Sequence, residues 1–221
     1  MKIRHAVICA AGLGSRLGKN MPKTLVNITE DKRIIDHQLE LVEDFELVSL
    51  VVGYKCEDVV EYVKDKREDL RIIHNPGYEN NSTAFSIDLA TKDIEGPYVS
   101  IDGDLLINKE EFNNFVNSFN GETVLGITTA KTEDGVYVNL NENNEVISFQ
   151  RQPKTDYEWA NIACINKPIV MDKDEDYVYP QFIKHLPLKA FVIENLYEVD
   201  TPGDYEVALA NLDKLWKKFI L

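Results

Sequence analysis

Residues 10–23 read Ala10-Ala11-Gly12-Leu13-Gly14-Ser15-Arg16-Leu17-Gly18-Lys19-Asn20-Met21-Pro22-Lys23, directly behind an apolar, strand-like run at 6–11. Glycines at 12, 14 and 18 let the backbone fold back on itself after a strand, through conformations that other residues seldom reach. Folded in this way, successive N–H groups point inward and form a nest for an anion. Arg16 and Lys23 can bring mobile positive charge onto the same anion. The sequence therefore predicts a phosphate-holding loop at the end of the first strand.

Two familiar phosphate loops fail on spacing. The dinucleotide fingerprint G-x-G-x-x-G needs a glycine where Leu17 stands, and Gly18 comes one residue late. No lone acid follows the second strand, which ends in Gly53-Tyr54. A Walker loop needs a glycine five residues before the Gly18-Lys19 pair, at Leu13.

Strand and helix patterns then alternate with short connections, which predicts βαβ units around a mainly parallel sheet. Strands are expected at 3–9, 48–53, 70–74 and 98–101, with helices at 34–44, 57–66 and 83–91. Asp102 and Asp104 follow the fourth strand at its carboxyl end, where open α/β sheets bind ligands. The second half reads as strands at 123–129, 136–139, 146–149 and 159–165, with a hairpin turn at 141–144. This predicts a small antiparallel flap, about 123–170, inserted into a single domain that covers 1–221. A helix at 179–185, a strand at 190–193 and a helix at 202–216, with Thr201 as cap and Pro202 in its first turn, complete the pattern.

Composition narrows the function. A formal net charge of −14 with no Lys/Arg cluster excludes a nucleic-acid surface. Cys9, Cys56 and Cys164 are widely spaced and odd in number, which fits a reduced, cytoplasmic setting and small apolar roles. The apolar run at 6–11 is shorter than a signal-peptide core, and no stretch approaches the roughly 18 apolar residues of a membrane span. His5, His37, His74 and His185 form no spaced set. The oligomeric state stays open, a homodimer included.

The pattern G-x-G-x-R followed by Pro22-Lys23 resembles the signature loop of the nucleotidyltransferases that join a nucleoside triphosphate to a phosphorylated small molecule. Three further segments carry the resemblance: Asn75-Pro76-Gly77-Tyr78 with Asn80-Asn81-Ser82-Thr83-Ala84, Asp102-Gly103-Asp104, and Glu198-Val199-Asp200-Thr201-Pro202. It implies a Rossmann-like α/β fold of the nucleotide-diphospho-sugar transferase type. It also implies Arg16 and Lys23 as catalytic cations on the triphosphate, and Asp104 and Asp200 as carboxylates for Mg²⁺, a hard ion that seeks oxygen. Ala10, Ala11, Gly12, Gly14, Asn80, Asn81, Ser82 and Asp102 would bind the nucleotide, although Asp102 could equally be a surface carboxylate in a turn. Lys19 fits no family position and reads as a solvated lysine. A phosphate monoester acceptor is mostly dianionic at neutral pH and needs no general base.

Sugar-phosphate members carry Glu-Lys-Pro where this chain has Arg151-Gln152-Pro153. Arginine cannot accept a hydroxyl proton, so a neutral hexose phosphate is disfavoured. The short spacing from Arg16 to Lys23 and the Asn80-Asn81-Ser82 segment look closer to small bacterial cytidylyltransferases of surface-glycan synthesis, such as those for choline phosphate. That resemblance implies CTP as donor. Arg151 as an acceptor residue would favour an anionic acceptor, whereas Tyr157 and Trp159 could cage a cation or simply pack in the core. A sugar-1-phosphate or molybdenum-cofactor-type transferase and a non-catalytic nucleotide-binding regulator are the alternatives.

Overall fold

A computed structural model of the chain describes residues 2–80, 82–166 and 177–216. Its first half is the expected alternation: β1 (His5–Ala10), α1 (Ile34–Leu41), β2 (Leu47–Val52), α2 (Cys56–Val63), β3 (Leu70–His74), α3 (Thr83–Thr91) and β4 (Tyr98–Asp102). Then follow β5 (Leu105–Ile107), α4 (Lys109–Asn117), β6 (Val124–Thr129), β7 (Tyr137–Leu140), β8 (Glu145–Gln150) and β9 (Tyr157–Ile165). The remainder is α5 (Tyr179–Ile183), β10 (Leu188–Val192), β11 (Leu196–Glu198), α6 (Pro202–Ala210) and α7 (Leu212–Trp216). Beyond the elements expected from sequence, the fold adds β5, α4 and β11.

Nine strands form one mixed sheet in the order β3-β2-β1-β4-β9-β6-β10-β8-β7. From β3 to β4 every pairing is parallel, and the inner strands β1, β2 and β4 are largely apolar because both their faces are covered, whereas the edge strand β3 is partly exposed. Neighbouring residues of β1 feed opposite cores: Ile8 packs with Leu50, Ile101 and Phe112, while Val7 packs with Val51, Ile87 and Phe182. Burying both sides of a strand in this way fixes where its carboxyl end emerges.

The expected antiparallel segment is continuous with this sheet, because β9 lies between β4 and β6 and is antiparallel to both. Residues 167–170 of that segment lie outside the described residues. Pairings β9 to β6, β6 to β10, β10 to β8, β8 to β7 and β7 to β9 close a circuit of five strands. A register shift between Leu125 and Ile127, with Asn161 at φ +53°, lets β9 leave β4 and meet β7.

Thr201 and Asp204 form a reciprocal capping box with Pro202 in the first turn of α6, as the sequence indicates. The single last helix expected at 202–216 is instead two. At the break, the Asn211 amide donates to the Val207 carbonyl at 2.8 Å, taking the acceptor that a continuing helix would use. Among the described residues no helix is long and apolar enough to cross a membrane.

Candidate active site

The site is assembled at the carboxyl ends of β1 and β4. The chain leaves β1 at Ala10 and turns through Gly14 and Gly18, both left-handed at φ +63° and +70°. At Gly14 glycine is required twice over, since a Cβ there would lie 2.6 Å from Cγ of Lys23. The far limb of the loop is tied on two sides. Asn20 accepts from the Tyr54 hydroxyl at 2.8 Å and, through its carbonyl, from Lys55 at 2.7 Å. Lys19 is exposed, as expected of a solvated lysine, and its ammonium lies 3.9 Å from the ring centre of Tyr205 on α6.

β4 carries Asp102 next to Cys9 of β1, and the Gly103 N–H donates to the Cys9 carbonyl at 2.8 Å. A Cβ on Gly103 would stand 2.6 Å from that oxygen, so the Asp-Gly-Asp turn sits closer to β1 than any side chain allows. Beyond the turn, β5 pairs antiparallel with β11, placing Leu105 opposite Glu198, and the Val199 N–H donates to the Asp104 carbonyl at 3.0 Å. This two-stranded ribbon brings Asp200 to Asp104.

Both carboxylates converge on one ammonium. Lys23 Nζ lies 2.9 Å from Asp104 Oδ2 and also donates to Asp200 Oδ1, while Arg16 Nη1 lies 2.6 Å from Asp200 Oδ2. Burial alone would lower the Lys23 pKa, but the attraction of Asp104 and Asp200 outweighs it and the group is held charged, above its ordinary value. Two more acids crowd the cluster. Burial, then the charges of Asp104 and Glu198, push Asp102 well above the usual carboxylate range. Burial, with Asp104 and Asp200 behind it, pushes Glu198 up to about 8. Four carboxylates thus share the site with two cations, and burial with their mutual repulsion drives Asp102 and Glu198 towards the protonated form.

Glu198 belongs to the Glu-Val-Asp-Thr-Pro motif, from which the sequence alone predicts no role for it. A signal is nonetheless present, since period-two alternation puts Glu198 and Asp200 on one side of an extended chain. Asn161, the bulged residue of β9, donates to Glu198 Oε2 at 3.3 Å. A folded pKa near 8 against an ordinary 4.5 means that the native protein holds a proton which the unfolded chain has lost. Stability then falls as pH rises between those values. Glu198→Gln is expected to raise Tm by a few degrees at pH 8.5 and to leave it nearly unchanged at pH 4. Thermal unfolding at both values checks this, and equal shifts would contradict a titrating Glu198.

The segment after β3 closes one side of the loop. Ala11 accepts from the Tyr54 N–H at 3.1 Å, and a Cβ on Gly53 would lie 2.5 Å from Cβ of Tyr78. Asn75 is buried, accepting from Gly77 N at 3.0 Å and donating to Ser86 Oγ at 3.1 Å, so it shapes the turn that exposes Asn80. Ser82 caps α3 by accepting from Phe85 N at 3.4 Å. Asn81 lies outside the described residues.

Of the three expected acceptor residues, the structure brings Trp159 nearest to the cluster. It packs near Asp102 and Asn161 in the apolar core with Ile87, and its buried ring meets Phe182 edge-on at 5.8 Å, the core role that the sequence also allows. Tyr157, two residues earlier, is half-buried between Thr129 and Val138. Arg151 donates to the Asp134 carbonyl at 2.7 Å and lies 4.7 Å from the ring centre of Tyr177 and 5.6 Å from that of Tyr179.

An all-oxygen donor pair that already closes on a cation suits a hard divalent ion, which accepts one or two protein carboxylates and completes its shell with phosphate and water. Consistently, no group of three or more His, Cys, Asp and Glu among the described residues is set to hold a metal unaided.

A family model described as MobA-like NTP transferase domain matches residues 6–145. The bifunctional protein GlmU of Methanococcus maripaludis is 26% identical over 161 residues, which are 71% of this chain and 38% of that protein. GlmU of Streptococcus uberis is 28% identical over 172 residues, 73% of this chain and 36% of its own length. The chain thus spans little more than a third of these curated relatives. The D-glycero-alpha-D-manno-heptose 1-phosphate guanylyltransferase of Campylobacter jejuni is 25% identical over 222 residues, 94% of this chain and 99% of that one. Among solved structures, the CTP:phosphocholine cytidylyltransferase from Streptococcus pneumoniae superposes with a TM-score of 0.78 at 24% identity, over 95% of this chain and 100% of that one. This last likeness is one of fold.

Proposed function

The chain belongs to the family of the MobA-like NTP transferase domain, and from that premise we propose that it is a nucleotidyltransferase joining the nucleoside monophosphate of CTP to a phosphorylated small molecule, with release of pyrophosphate. The observation that carries this reading is the meeting of Lys23, Arg16, Asp104 and Asp200, from three separate segments, at the mouth of a glycine loop. A nucleotide-binding regulator has no need of two carboxylates aimed at one point beside the phosphate loop.

In this reading the N–H groups around Gly12 and Gly14 cradle the triphosphate. Asp104 and Asp200 would hold Mg²⁺, which when bound neutralises phosphoryl charge and eases the departure of pyrophosphate. Arg16 and Lys23 turn from the carboxylates towards the triphosphate, with Lys23 opposing the charge that grows at the α-phosphoryl oxygens. The acceptor phosphate, already dianionic, attacks the α-phosphorus without a base. Trp159 is buried in the apolar core against Phe182, so the cationic acceptor is supported by the resemblance to the choline-phosphate enzymes and not by an open aromatic cage. Arg151, engaged by Asp134 and two tyrosines, gives the anionic alternative less support. The product would be a CDP-activated alcohol of cytoplasmic origin, of use in surface-glycan synthesis.

Incubating the protein with each of the four triphosphates, Mg²⁺ and a panel of phosphorylated amino alcohols, anionic acceptors and sugar 1-phosphates tests this. The expected result is fastest pyrophosphate release with CTP and an amino alcohol phosphate. Preference for GTP with a heptose 1-phosphate would replace the cytidylyl assignment with that of the guanylyltransferase relative. Silence with every pair would leave the regulator reading.

A further inference from the structure

Two consecutive side chains of α1 tie down the stretch from Asp102 to Ile107, and one of them spans the Asp102-Gly103-Asp104 turn. Gln38 is fully buried, and its Nε2 donates to the carbonyls of Asp102 at 2.7 Å and Leu105 at 3.2 Å. These carbonyls flank the turn, so a single amide ties its two ends together. His37 follows suit one residue earlier, with Nε2 2.9 Å from the carbonyl oxygen and 3.1 Å from the amide nitrogen of Ile107 at the end of β5. Burial, with Lys32 nearby, brings the His37 pKa down to about 4, so the ring is neutral and its tautomer decides which of the two bonds is made.

The Gln38 amide comes at a cost. Its Oε1 is buried with no hydrogen-bond partner, whereas methionine would fill a similar volume and orphan nothing. The side chain of Asp104, in turn, is hydrogen-bonded to Lys23. Once Lys23 swings to the triphosphate, only the backbone of the turn keeps the Asp104 carboxylate aimed.

We propose that Gln38 is a positioning residue: by tying Asp102 to Leu105 it sets the Asp104 carboxylate for the divalent cation that accompanies the triphosphate. The proposal rests on the nucleotidyltransferase reading above. It assigns to α1, which contributes no residue to the cluster itself, control over the strength with which a metal-bound nucleotide is held.

The test compares binding of metal-free CTP, in EDTA, with binding of the Mn²⁺·CTP complex followed by water-proton relaxation. Gln38→Met is expected to leave metal-free CTP binding within about twofold of wild type and to weaken Mn²⁺·CTP binding about tenfold, the scale of lost support behind a metal ligand. Ile35→Val, on the same helix and in the core, should lower Tm without changing the ratio of the two affinities. An unchanged ratio in folded Gln38→Met would overturn the proposal. Should that variant not fold, the wild-type side-chain amide resonances of Gln38 decide: they should shift when Mg²⁺·CTP replaces CTP, and their constancy would equally overturn it. A wild-type protein that binds no triphosphate, with or without metal, would instead refute the nucleotidyltransferase reading, and this proposal with it.

Discussion

Asp104→Ala and Asp200→Ala should each remove at least about 99% of turnover while leaving the protein folded. Both carboxylates bond the same ammonium, and both lie at the one point where the loop, the Asp-Gly-Asp turn and the β5–β11 ribbon meet. Losing either halves the oxygen donors offered to a divalent ion, and several kilocalories per mole of charge stabilisation in the transition state depend on that ion. The fold should tolerate the change. Four carboxylates share the site with two cations, and Glu198 is already driven up to about 8 by burial and then by Asp104 and Asp200. Deleting one of these charges lets Glu198 ionise more readily beside the two cations, which offsets the bonds lost to Lys23 and, in Asp200→Ala, to Arg16. Steady-state turnover with circular dichroism and a melting curve on each variant is the check. Normal activity in a folded variant would remove the pair from the mechanism.

Lys23→Ala should lower kcat by about a hundredfold or more, and kcat/KM with it. Its ammonium is buried, stays charged and lies where the triphosphate would enter. Its aliphatic stem runs so close to Gly14 that the loop and the side chain are shaped together. A cation kept charged by its acidic partners, and shifted onto the triphosphate when that binds, is in place before charge develops on the α-phosphoryl oxygens. Lys23→Arg should not restore the rate, because a planar guanidinium is bulkier and cannot present the same compact charge against Gly14. A raised KM with kcat intact would make Lys23 a binding residue only.

Much of this arrangement is legible in the chain itself. The glycine loop, the Asp-Gly-Asp turn and the acid before Thr201-Pro202 each carry a local chemical reason to be where they are. What joins them is not local. The strands Leu105–Ile107 and Leu196–Glu198 have three residues each, too few for any alternating pattern, and their pairing spans the whole second half of the fold. The place of β9 between β4 and β6 is likewise decided by contacts between distant segments. Arg151 shows the limit for a single residue. Its charge and the motif around it suggested an acceptor contact, but Tyr177 and Tyr179 reach its guanidinium from beyond the following strand. The α6–α7 break, by contrast, turns on the side chain of Asn211 and was there to be read.

The β5–β11 ribbon also sets a timetable for the nascent chain. Lys23 and Asp104 are both made early, and the parallel strands that present them need nothing beyond Asp102 to pair. The partner of β5 is not synthesised until residue 198, and Asp200 follows it. A ribosome paused anywhere before that point holds the glycine loop with only one of the two carboxylates that meet Lys23. Closing the ribbon across so long a stretch of sequence is intrinsically slow. The centre is therefore completed late, after most of the sheet that supports it can already have formed.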